Sequence, residues 1–165
     1  MTVLSSASFV VPSAVSTLYN TGYEVIAASL LSAFVAQLFK VVGTLIFKRT
    51  INFRLIVETG GMPSSHSASM TALATAVGCV DGFASTTFAI AVGTALVVMY
   101  DAAGVRRSAG RMAGILNKIT REIYAHETGH VPEHLRELLG HTPFEVLVGA
   151  ILGVIFALSF HAYLA

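Results

Sequence analysis

Gly60-Gly61-Met62-Pro63-Ser64-Ser65-His66-Ser67-Ala68 is a loop that runs straight into an apolar stretch of small residues and leaves a histidine in its first turn. Two glycines let the backbone approach an anion closely, Pro63 suits the first helical position, and the unpaired N–H groups of a first turn point at whatever lies above it. Ser64 and Ser65 add hydroxyl donors, and His66 adds a proton that moves near neutral pH. The plainer reading is an ordinary Gly-Pro helix start with serines at its cap. The choice between them depends on what the rest of the chain brings to the same place.

The chain has 165 residues, 55% of them hydrophobic and only 12% charged, with a mean hydropathy of +0.75. That composition implies one integral membrane domain, residues 1–165, rather than a water-soluble one. Apolar stretches predict membrane helices over 23–47, 64–80, 85–105 and 143–164. Residues 1–22 read as an N-terminal interfacial segment, short in apolar length and broken by Pro12. Residues 106–142 read as a loop. The expected fold is all-α: a bundle of about four transmembrane helices plus an amphipathic helix. Ser67, Ser69, Ala72, Ala74 and Gly78 line the second helix with small side chains, and Gly149 and Gly153 form a small-x-x-x-small pair in the fourth, both suited to close packing.

A net charge of +1 gives no basis for a nucleic-acid partner, and a single Cys79 excludes an intrachain disulfide. The first Lys or Arg is Lys40, so no basic n-region precedes the first apolar stretch and no cleavable signal is expected. The basic residues orient the bundle instead. Lys48, Arg49 and Arg54 follow the first helix, and Arg106, Arg107, Arg111, Lys118, Arg121 and Arg136 lie between the third and fourth. By the positive-inside rule both loops are cytoplasmic and both termini are on the non-cytoplasmic side. His66 and His141 then share the cytoplasmic membrane face.

Leu138-Leu139-Gly140-His141-Thr142-Pro143-Phe144-Glu145-Val146 repeats the design of the first stretch: glycine, histidine, helix start. Thr142-x-x-Glu145 is a capping box with Pro143 at the first helical position. Capping accounts for Thr142 and Glu145 but not for His141. A histidine with a carboxylate four residues on is what a nucleophile and its orienting acid need: the imidazole attacks phosphorus while the carboxylate fixes its tautomer. His66 then protonates the leaving oxygen.

Arg106 and Arg107 end the third helix on the same face, either as phosphate ligands or as ordinary topology anchors. Asp101 lies in an otherwise apolar stretch, where a carboxylate is paired or functional, and Lys40, embedded near Gln37, is its available partner. A lysine at that depth also suits neutralisation of phosphoryl charge. Residues 109–125 carry Met112, Ile115, Ile119 and Ile123 near helical spacing with basic residues opposite, which predicts an interfacial amphipathic helix. His126-Glu127-Thr128-Gly129-His130 spells the H-E-x-x-H of zinc hydrolases, but that motif needs a continuous helix, and Gly129 and Pro132 read as a helix ending.

Three motifs in order, Gly60-Gly61-Met62-Pro63-Ser64-Ser65-His66, Tyr100-Asp101-Ala102-Ala103-Gly104-Val105-Arg106-Arg107 and Gly140-His141-Thr142-Pro143-x-Glu145-Val146, resemble the divergent branch of the type 2 phosphatidic acid phosphatase and vanadium haloperoxidase superfamily. The main pattern there is Lys-x6-Arg-Pro, Pro-Ser-Gly-His and Ser-Arg-x5-His-x3-Asp, whose second histidine is the nucleophile. Pro63, Ser64 and His66 match the middle motif with Ser65 for glycine, and His141-x3-Glu145 matches the last with Glu for Asp. Leu135 stands where the arginine of the last motif is expected, and no Lys-x6-Arg-Pro occurs.

The resemblance implies a membrane phosphatase acting on a lipid-linked phosphate at the cytoplasmic bilayer face without a metal or other cofactor. His141 is its nucleophile, Glu145 orients it and His66 is the acid. Ser64, Ser65, Arg54, Arg106, Arg107 and Lys40 are the expected phosphate ligands, with Asp101 in support. The expected partner is a lipid phosphate or other phosphorylated amphiphile, and a second copy completing the site is left open. The alternative is a non-catalytic membrane protein that binds a phosphorylated lipid or a partner through the same anion site.

Overall fold

A computed structural model describes residues 17–48, 61–127, 135 and 140–165. They form five helices and no strand: α1 (Gly22–Lys48), α2 (Ser65–Asp81), α3 (Thr86–Ala103), α4 (Val105–Glu127) and α5 (Pro143–Leu164). The protein is an all-α membrane bundle. α2 is its centre and packs on α1, α3 and α5, while among the described helices α4 packs on α3.

Three helical stretches are long and apolar enough to cross a membrane: Gly22–Ile46, Pro143–Leu164 and a third within Thr86–Ile123. Four were expected. α2 has 17 residues, about 25 Å of helix against about 30 Å of hydrocarbon. Its neighbours cover it, so it has no need of large lipid-facing side chains. Ser67, Ala68, Ala72, Ala74, Thr75, Ala76 and Gly78 are all buried along it. Leu30, Phe34, Ile90, Val97, Leu147 and Ile155 point outward from the long helices, where lipid is the solvent.

Small residues let α2 and α5 approach to backbone distance. A methyl group at Gly153 would overlap Thr71 Oγ1 and the Ala68 carbonyl, and one at Gly149 would overlap the Ser64 carbonyl. Ala28, Ala72, Ala76 and Ala157 form the core beside Val25 and Phe160. Hydroxyls tie the seams: Thr71 donates to the Ala150 carbonyl at 3.0 Å, Ser32 to the Ala68 carbonyl at 3.1 Å and Ser29 to the Ser69 carbonyl at 3.2 Å. Each such interhelical bond contributes on the order of 0.6 kcal/mol in a membrane.

The third apolar stretch ends earlier than its hydropathy suggests. α3 stops at Ala103, Gly104 has ψ −77°, and α4 starts at Val105 rather than near 109. The amphipathic helix expected over 109–125 within the 106–142 segment is α4, about one turn longer at its start. Of the N-terminal segment 1–22, only residues from 17 onward are described.

At the end of the bundle far from His66, Glu24 is fully buried. Its Oε2 accepts from Asn20 N–H at 2.7 Å, and its Oε1 lies 2.6 Å from His161 Nδ1. Tyr19 stacks on the His161 ring with centroids 5.3 Å apart. This buried link clamps the start of α1 to the end of α5.

Candidate functional site

The site forms where the starts of α2 and α5 meet the ends of α1 and α3. Gly61 has φ +80°, a left-handed conformation that favours glycine. The Lys40 side chain lies alongside, its Cδ 3.6 Å from where a Gly61 Cβ would sit. Ser64, fully buried, is the N-cap of α2; its Oγ accepts from Ser67 N–H at 3.3 Å and from Ser67 Oγ at 3.1 Å. Pro63 therefore stands before the cap and not at the first helical position, because serine supplies the acceptor that the cap needs. The Ser64 carbonyl takes Ala68 N–H at 3.0 Å. The N–H groups of Ser65 and His66, first in the helix, have no acceptor a turn earlier inside it.

α5 begins with the capping box read from its sequence. Thr142 Oγ1 accepts from Glu145 N–H at 3.3 Å, and Glu145 Oε2 accepts from Thr142 N–H at 2.9 Å. Two backbone bonds join the motifs: Ser64 N–H donates to the Glu145 carbonyl at 3.2 Å, and His141 N–H donates to the Ala102 carbonyl at 3.1 Å. Gly140 lies against the Arg106–Arg107 backbone, with no room for a side chain.

This framework brings the two histidines together. The His66 and His141 ring centroids are 6.1 Å apart, edge to face at 62°. His141 is 2% exposed, and neither of its ring nitrogens has a hydrogen-bond partner among the described residues. Its Nδ1 lies 3.4 Å from Glu145 Oε2, an electrostatic contact, and the same oxygen accepts from Thr142 N–H. Burial pushes the His141 pKa below the usual histidine value; Glu145 opposes the shift and the Lys40 charge adds to it. The imidazole is accordingly neutral at pH 7, with a lone pair available.

Lys40 is buried in α1, and its charge reaches Glu145, His141 and His66. It does not pair with Asp101. Asp101 Oδ2 lies 2.8 Å from Arg106 Nε, a partner five residues along that the helix break at Gly104 brings within reach. Arg106 also acts electrostatically on His66. Ser65 is half-buried in the first position of α2, and Arg107 is half-buried behind Gly140.

Arg49, Arg54 and Arg136 lie outside the described residues. So does His130 of the H-E-x-x-H stretch, of which the structure gives only the backbone of His126 and Glu127 in the last turn of α4. Leu135, standing where the phosphatase pattern has arginine, exchanges two hydrogen bonds with Asn117: its N–H donates to Oδ1 at 2.9 Å and its carbonyl accepts from Nδ2 at 2.8 Å. The sequence reading did not name Glu24 and His161. Their signal was an ionisable side chain in each of two apolar spans.

The arrangement sets a buried imidazole beside a carboxylate and within the field of a lysine, brings a second imidazole to it edge to face, and adds the first N–H groups of a helix. Helix-start N–H donors and paired imidazoles are the kinds of group that anion binding and proton transfer use.

Comparison with known proteins agrees in extent with the region that builds this site. The model of the family described as "Divergent PAP2 family" matches residues 21–156. The "Uncharacterized membrane protein YuiD" of Bacillus subtilis (strain 168) is 39% identical over 141 residues, covering 79% of this chain and 89% of that protein. No solved structure matches.

Proposed function

Because the chain belongs to the divergent PAP2 family, we propose that it is a membrane phosphatase that hydrolyses a lipid-linked phosphate with His141 as nucleophile. The observation that carries this reading is the 6.1 Å approach of the His66 and His141 rings, with Glu145 beside His141. A phosphoryl group between the rings meets a nucleophile on one side and an acid on the other, as in-line displacement requires.

In the first step His141 Nε2 attacks phosphorus. Glu145, facing Nδ1, holds the proton there and stabilises the positive ring. The P–O bond to the leaving group breaks as His66 gives that oxygen its proton. In the second step His66 takes a proton from water, the hydroxide attacks the phosphohistidine, and phosphate leaves with the His141 lone pair restored. Lys40, Arg106 and the Ser65 and His66 N–H groups are the donors for the phosphoryl oxygens, with Arg107 as a further cation, while Arg54 remains a candidate from the sequence alone. Ser64 shapes the turn from beneath as its cap, and Asp101 steadies Arg106. We place this end of the bundle at the cytoplasmic face, following the nine basic residues of the loops. A phosphate presented there keeps its tail in the bilayer.

A second reading keeps the anion site without turnover, as a receptor for a phosphorylated lipid. Leu135 at the arginine position favours it, since one phosphate ligand of the main pattern is absent. Phosphate release separates the two. Purified protein in detergent is given phosphatidate, a polyprenyl phosphate and soluble phosphomonoesters in the presence of EDTA, beside His66→Ala and His141→Ala. Release that survives EDTA and is lost in both variants supports the phosphatase. No release by folded protein from any substrate moves the assignment to binding.

A further inference from the structure

α4 has three strips, and two of them are accounted for. Asn117, buried, clamps the backbone of Leu135, and Gly110, two turns earlier on the same strip, is also buried. Arg107, Arg111, Lys118 and Arg121 share a second strip, suited to water or to anions. The third consists of Val105, Met112, Ile115, Leu116, Ile119 and Ile123, each 46–60% exposed. These recur at three-, four- and seven-residue intervals and fall within an arc of about 100°. The stripe runs about 27 Å along the helix axis, and among the described residues α4 contacts no helix other than α3.

We infer that α4 docks on the bilayer surface at the site end of the bundle, with this stripe in the headgroup–acyl boundary and its basic residues on anionic phospholipid headgroups. Two observations select that occupant. α4 begins one residue after α3, part of a membrane-spanning stretch, so its first turn is already at the membrane surface. The helix also carries five basic residues against Glu122 and Glu127, which complements an anionic surface. α4 joins α3 at Gly104, the C-cap of α3. Its junction holds Arg106 and the Ala102 carbonyl that anchors His141, so a docked α4 places that side of the site in the headgroup layer. The docking does not depend on turnover, and its failure is separable from failure of the phosphatase reading.

Full-length protein with Cys79→Ser and a single new cysteine, Ile115→Cys or Lys118→Cys, is labelled with an environment-sensitive fluorophore. It is reconstituted into vesicles of phosphatidylcholine, or of the same lipid with about one third phosphatidylglycerol. Quenching by spin-labelled lipid is expected to be at least about twofold stronger at 115 than at 118 in the anionic vesicles. The difference is expected to shrink in neutral vesicles and in an Arg111→Glu/Arg121→Glu background. Equal quenching at the two positions overturns the docking, and a difference indifferent to lipid charge overturns the anionic partner. Energy transfer between donor- and acceptor-labelled 115 that grows with protein density overturns it in favour of a second copy.

Discussion

Replacing Gly149 by alanine puts a methyl group into the backbone of the Ser64 cap, the turn that presents His66. The new Cβ would overlap the Ser64 carbonyl and lie 3.1 Å from both Ser64 N and Ser67 Cβ. Two of these three neighbours are main-chain atoms and cannot rotate away, so α2 and α5 must part by about 1 Å to restore van der Waals contact. Overpacking of that kind costs about 1–3 kcal/mol. The parting also stretches the 3.2 Å bond from Ser64 N–H to the Glu145 carbonyl, worth about 1 kcal/mol. Helix propensity returns about 1 kcal/mol on going from glycine to alanine. The net expectation is a loss of about 1–3 kcal/mol, read by titrating detergent-solubilised protein with SDS under far-UV circular dichroism. Phosphate release should fall on the order of 100-fold, because the reacting groups move apart. Gly43→Ala is the control: nothing lies within 4 Å of its Cβ, and a gain of up to about 1 kcal/mol is expected. If Gly149→Ala were as stable and active as the parent while Gly43→Ala showed its gain, the close seam between α2 and α5 would be refuted.

Three further outcomes are expected. Glu145→Gln keeps an amide oxygen for Thr142 N–H, so unfolding should shift by less than about 0.5 kcal/mol, whereas phosphate release should drop by about 10²–10⁴; loss of stability without loss of rate would leave Glu145 as a cap alone. His141 has its folded pKa lowered by burial, so its contribution to stability is complete above the unfolded value of about 6.5 and is lost as pH falls through that value toward the folded one; unfolding curves between pH 5 and 8 should show this slope, and His141→Gln should lack it. Glu24→Ala strands His161 and removes the acceptor for Asn20 N–H, so stability should fall by about 3 kcal/mol while phosphate release per folded molecule is unchanged; a parallel loss of rate would connect the two ends of the bundle.

The meeting of His66 with His141 was legible because each follows a basic loop and opens an apolar helix, which fixes the membrane face of both without any contact being known. The capping box was legible for a similar reason: Thr142-x-x-Glu145 is a local pattern. What escaped depends on departures from regular helix. Asp101 and Lys40, both embedded in apolar sequence, seemed natural partners, yet Gly104 interrupts the helix and lets Arg106 reach back to Asp101. The end of the third helix was legible to within two residues, with Gly104 at its cap, but the immediate restart of a helix at Val105 was not. Pro63 fits a helix start on paper, but the Ser64 hydroxyl claims the cap one residue later. The small residues of α2 were legible as a packing surface, and their burial in the bundle agrees, while its 17 residues leave it shorter than the three long apolar helices. Glu24 and His161 are separated by 137 positions, and only the antiparallel return of α5 alongside α1 joins them.

The bare α-carbons at Gly149 and Gly153 act as a caliper. His66 stands on α2, while His141 and Glu145 sit at the head of α5, so the gap between the two imidazoles is gauged by hydrogen atoms resting on a neighbouring main chain. A gauge made of backbone has no rotamers in which to slacken. On the phosphatase reading, the spacing of the two imidazoles is thereby set before any phosphate arrives, and a larger residue at either glycine is expected to widen it.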